Sequence, residues 1–130
     1  MSAELAADLI DVRVLVVEDE YLIAIELASA LEDEGVEVIG PASTLAQGQE
    51  LCRAGKRIDG AILDINLRGE NVYPLADALR DEAVPFLFST GCSTHEIPDR
   101  FIDIPLCAKP MGSSEILRAF ARKLRSTVKS

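Results

Sequence analysis

Five times along this chain a short apolar run gives way to a longer amphipathic stretch, and that alternation leaves few folds open. The apolar runs are Val12–Val17, Val36–Ile39, Gly60–Ile65, Pro85–Ser89 and Pro105–Ala108. They are short, and the first is rich in β-branched residues, so they read as strands. Between the first two, Glu20–Glu34 places Ile23, Leu27, Ala30 and Leu31 at helical spacing, with Gly35 in position to end the helix. A second helix is expected over Thr44–Ala54, with Thr44 as its cap, and a third from about Pro74, where a missing N–H does little harm. Pro41 is expected to stop the second strand, and LRGENVY, from Leu67 to Tyr73, reads as a polar connection. Gly91–Ile104 is weakly patterned and broken by Pro98, so a fourth helix there should be short or irregular. A last helix capped by Ser113 or Ser114 should end near Val128.

Strands that are apolar on both faces and alternate with helices imply a parallel sheet covered on both sides. Right-handed crossovers then favour a flavodoxin-like (βα)5 doubly wound α/β sheet in the order 2-1-3-4-5. The 130 residues suit a single domain with a core over about 12–128, an N-terminal extension over 1–11 and no output domain. With 48% apolar residues the chain should fold rather than remain disordered. A net charge of −9 argues against direct nucleic-acid binding and suits a cation or a basic partner. The three cysteines lack CxxC spacing and read as reduced small hydrophobes, while a single histidine, His95, cannot build a usual zinc cage. No signal peptide and no membrane-spanning run is legible, so a cytoplasmic location is expected.

Ligands of such sheets bind beyond the carboxyl ends of the strands. The first strand ends in Glu18-Asp19-Glu20, the third in Asp64, the fourth in Ser89-Thr90-Gly91 and the fifth in Lys109-Pro110. Singly, each has a plain explanation: Asp19 as a helix cap, Thr90 in a turn, Lys109 as a solvated strand end. Asp64 is harder to dismiss, because a charge inside an apolar run is costly unless paired or metal-bound. Together, three carboxylates would raise at least one pKa and would suit Mg²⁺, which binds a few carboxylates and keeps several waters. One carboxylate could then attack phosphorus to form an acyl phosphate, and Asp64 is the best placed. Lys109 would neutralise phosphoryl oxygens and Thr90 would donate a hydrogen bond.

These residues resemble the response-regulator receiver family. VLVVEDE is similar to its acidic pair, AILDINL to its phosphoacceptor strand, FST-Gly to its switch hydroxyl, and AKP to its lysine-proline. The resemblance covers about Val12 to Val128. It implies metal binding by Glu18, Asp19, Asp64 and the backbone carbonyl of Asn66, and a cis Lys109-Pro110 bond. It also implies phosphotransfer from a sensor histidine kinase or a histidine phosphotransfer protein, and catalysis only of the domain's own phosphorylation and dephosphorylation. PFLFSTGCS and LRGENVYPLADAL resemble the atypical FATGUY group, with Ser89 in place of that motif's alanine and Ser93 in place of its tyrosine.

Two departures bear on how phosphorylation is reported. Leu106 stands where conventional receivers have an aromatic residue, and the Asp64–Lys109 stretch is short. An order–disorder change in Gly91–Ile104 is therefore expected to replace the usual rotamer flip. Leu22 and Ile25 lie off the first helix's stripe and are expected to pack against neighbouring elements, with a docking patch as the alternative. Arg118, Arg122, Lys123, Arg125 and Lys129 are expected to complement the dipole of the last helix, with a partner contact as the alternative. Two other functions compete. One is a phosphorylation-independent pseudo-receiver. The other is a haloacid-dehalogenase-type phosphatase, which would want an aspartate where Asn66 stands.

Overall fold

A computed structural model of the chain describes residues 9–91, 97–109 and 112–129. In chain order its strands are β1 (Arg13–Val17), β2 (Glu37–Ala42), β3 (Gly60–Asp64), β4 (Asn66–Leu67), β5 (Glu70–Asn71), β6 (Phe86–Thr90) and β7 (Leu106–Ala108). Five of them form a parallel main sheet in the order β2-β1-β3-β6-β7, which is the expected 2-1-3-4-5 once the short β4 and β5 are set aside. Among the described residues four α-helices flank it: α1 (Tyr21–Asp33), α2 (Leu45–Arg53), α3 (Tyr73–Asp81) and α4 (Ser113–Lys129).

Because side chains alternate along a strand, each central strand feeds two cores. Val14, Val16, Ile62 and Leu87 meet Leu27 and Leu31 of α1 and Phe120 of α4. Leu15, Leu63, Phe86 and Phe88 meet Leu75 and Leu79 of α3. Gly60 lets α4 approach closely, since a Cβ there would lie 2.4 Å from the Phe120 ring. Leu9, just ahead of β1, is fully buried in the α1/α4 core.

Several local expectations hold. The Thr44 side chain caps α2 by accepting from the Gln47 N–H at 3.1 Å, and Gly35 follows α1 with φ +87°. Two do not. Pro41 does not stop β2, which continues through a cis Gly40–Pro41 bond to Ala42. A proline is tolerated there because β2 is an edge strand, and the register with β1 shifts between Leu15 and Val17. The connection after β3 is not irregular either, because β4 and β5 form a tight antiparallel hairpin. Its turn residues Arg68 and Gly69 both have positive φ, the geometry of two-residue hairpins.

The expected weak fourth helix is, in its described part, a single 3₁₀ turn at Asp99–Phe101. Phe101 is fully buried there, stacked on Tyr73 with centroids 5.6 Å apart and edge-on to Phe88 at 5.5 Å. The Arg80 and Arg100 guanidiniums lie 5.1 and 4.6 Å from the Phe101 ring. Arg100 bonds Asp77 at 2.8 Å and Arg80 bonds Asp103 at 3.1 Å, so α3 holds this connection at both ends. Ile97–Ile104 is thus tied to α3 and the aromatic cluster in this structure. His95, Cys92, Ser93 and Pro110, with its expected cis bond, lie outside the described residues.

Candidate phosphoacceptor site

The end of β1 delivers Glu18, which is buried, and Asp19, which is half-buried. The adjacent β3 delivers Asp64, also buried at 4% exposure. Each of the three offers a carboxylate oxygen within 4.8 Å of the others. Lys109, arriving from β7, places Nζ 2.8 Å from Glu18 Oε1 and 3.1 Å from Asp64 Oδ2. Backbone amides do the rest of the pinning. The Glu20 N–H donates to Glu18 Oε2 at 3.1 Å, and the Asn66 N–H donates to Asp64 Oδ1 at 3.2 Å. Glu20 stands 3.8 Å from Lys109 Nζ, a fourth carboxylate in the field of the same ammonium.

Burial pushes the Asp64 carboxyl up to about 8, the neighbouring Glu18 adds to that, and Lys109 only partly opposes it. Burial would lower the Lys109 ammonium, but Glu18 and Asp64 outweigh it and hold the ammonium above its usual range. The donor set fits a hard divalent cation: oxygen ligands only, crowded enough to repel, and now balanced by one ammonium. A cavity of about 550 Å³ opens from these residues between α1 and α4, lined by Asp64, Lys109, Ser89, Ile23, Leu27 and Ile116.

The sheet therefore brings Glu18, Asp19, Asp64 and Lys109 together, as their strand-end positions suggest. Thr90 is buried at the end of β6, and its carbonyl accepts from the Lys109 N–H at 2.7 Å. It follows Phe88 by two, so its side chain belongs to the aromatic face of the sheet. Ser89 pairs laterally with Asp64 and lines the cavity, a role missed when only residue types at strand ends are considered. Leu106 is 46% exposed on the edge strand. Tyr21, Leu22 and Ile25 are exposed on α1, so Leu22 and Ile25 do not pack inward as expected. The reason is that Ala24, Leu27, Ala28 and Leu31 already fill the buried side of α1.

No family model matches the chain. Known proteins do. The solution structure of SdrG from Sphingomonas melonis Fr1 is 37% identical, with 91% of this chain and 97% of SdrG covered and a TM-score of 0.74. A CheY-like response-regulator receiver domain protein from Methanospirillum hungatei JF-1, 22% identical, shares the fold with a TM-score of 0.80 over 92% of this chain and 98% of its own. The chain belongs to the response-regulator receiver family. This receiver is also 34% identical over 129 residues to the phyllosphere-induced regulator PhyR of Methylorubrum extorquens, covering 93% of the chain and 46% of PhyR. It spans about half the length of the curated relatives it matches. Among the described residues no helix is long and apolar enough to cross a membrane.

Proposed function

We propose that this receiver accepts a phosphoryl group on Asp64 from the phosphohistidine of a sensor kinase or phosphotransfer protein, and signals through protein contacts. The observation that carries this reading is the Lys109 ammonium bridging two buried carboxylates, Glu18 and Asp64. An ammonium so placed is poised to exchange a carboxylate for an incoming phosphoryl oxygen. Glu18, Asp19, Asp64 and the Asn66 backbone carbonyl would hold Mg²⁺. The ion would neutralise the crowded carboxylates and the phosphoryl oxygens.

The chain's own groups then have distinct tasks. Asp64 supplies the attacking oxygen, forming an O–P bond as the partner's N–P bond breaks and its imidazole leaves. Lys109 balances charge on the transferred group. The Asn66 N–H, already bonded to Asp64 Oδ1, orients the carboxylate. Thr90 donates its hydroxyl to the phosphoryl group, which requires it to turn from the aromatic face over the strand end. That turn would carry the signal, and PFLFSTG supports kinship with the FATGUY group rather than with receivers that use a strand-5 aromatic. A cytoplasmic site of action accords with a kinase partner.

Incubation with Mg²⁺ and acetyl phosphate, followed by intact mass measurement, tests the reading. One phosphoryl group should be gained by the wild type and none by Asp64→Ala. A wild-type chain that gains no mass is a pseudo-receiver. Continuous turnover of a phosphate ester would instead indicate a phosphatase.

A further inference from the structure

Ser89 is a buried hydroxyl with 5% exposure, and it lines the cavity that Asp64 and Lys109 share. Register fixes where it points. Asp64 is paired with Ser89 across β3 and β6, and Ser89 with Cys107 across β6 and β7. Laterally paired residues of a parallel sheet present their side chains on one face. Asp64, Ser89 and Cys107 therefore form a row on the α1/α4 face. Lys109, two residues beyond Cys107, shares that face. To reach Asp64 and Glu18 its side chain must cross the end of β6. It does so over Gly91, where a Cβ would lie 3.7 Å from Lys109 Cδ. Ser89 sits two residues back along β6, on the same face as that crossing.

The ammonium has three N–H donors and, as described, directs them at Glu18 and Asp64. Any cation that takes those carboxylates competes with Lys109 for their oxygens. The displaced ammonium then has only the exposed Glu20, 3.8 Å away, as a remaining charged partner among the described residues, and needs a further acceptor to stay inside the partly closed cavity. We propose that Ser89 is a positioning residue for Lys109, its hydroxyl accepting from the ammonium once the carboxylates are engaged by a divalent cation. This rests on the phosphoacceptor reading and goes beyond it, because the alanine of the FATGUY motif at this position has no such acceptor.

Mg²⁺ affinity, measured by calorimetry on the full chain, is the test. Ser89→Ala should weaken Mg²⁺ binding by about tenfold, the size of one hydrogen bond to a charged group. Ser89→Thr, which keeps the hydroxyl, should bind nearly as the wild type does. In a Lys109→Met background, Ser89→Ala should cause no further loss, a result that a purely structural role for the serine would not produce. Thermal melts without Mg²⁺ check that each variant is folded. Unchanged affinity in Ser89→Ala, or an equal loss in the Lys109→Met background, would overturn the proposal and leave the phosphoacceptor reading standing. A wild-type chain that does not bind Mg²⁺ would overturn both.

Discussion

The two faces of the sheet around β3 and β6 are built from alternate residues of the same strands, yet they are opposites. On the α1/α4 face, Asp64 and Ser89 border a cavity that holds a charged cluster. On the α3 face, Phe86, Phe88 and Phe101 close around one another with Tyr73. One face retains polar groups that solvent and ligands can reach, and it bears the electrostatic strain of doing so. The other is closed by aromatic packing and offers the rigidity against which the first can change. Ser89 and Thr90, adjacent in sequence, fall on different sides of this division.

Removing the centre of the closed face should have the largest effect on stability. Phe101→Ala should cost about 4 kcal/mol in urea unfolding, as expected for a fully buried aromatic side chain. A cost below about 1 kcal/mol would mean that the connection is held by its arginine–aspartate pairs alone and that the aromatic face is not the rigid one.

The charged face should respond in the opposite sense. Burial and the neighbouring Glu18 push the Asp64 carboxyl up to about 8 from an ordinary 3.8. Its contribution to stability is therefore fully present below about pH 4 and is lost as the pH rises through about 8. In metal-free buffer, Asp64→Asn should be more stable than the wild type at pH 8, by up to about 5 kcal/mol, with the difference closing toward pH 4. A difference that stays constant with pH would show that Lys109, rather than burial, governs the charge on Asp64.

The smallest effect is expected at Leu106. Because it is half-exposed on the edge strand, Leu106→Ser should change stability by less than about 0.5 kcal/mol. It should also leave the amide shifts that accompany beryllofluoride binding around Thr90 in place. Loss of those shifts would restore a signalling role to the position of the missing aromatic residue.

Much of this was legible in the residues themselves. The alternation of apolar runs and amphipathic stretches specifies the number of βα units and, through chain handedness, the sheet order. The acidic residues after β1, Asp64 and Lys109 are legible as site candidates because charge at the end of an apolar strand needs a reason. The hairpin after β3 was not, because Leu67–Asn71 is too short to show a strand period and depends on the positive φ of Arg68 and Gly69. Nor was the passage of β2 through Pro41, because an edge strand tolerates what a central one would not.

The grip on Phe101 was hidden for another reason. Tyr73, Asp77 and Arg80, which hold it and its neighbour Arg100, come from α3, far along the chain, and no local pattern links them. The sequence alone determined which chemical groups collect at one end of the sheet, since strand ends follow from hydrophobic periodicity. Tertiary structure alone decided how they share that space: Lys109 between Glu18 and Asp64, Ser89 beside Asp64, Thr90 on the aromatic side. Those choices depend on register between strands that are distant in the chain, and a shift of one residue would have exchanged the two faces.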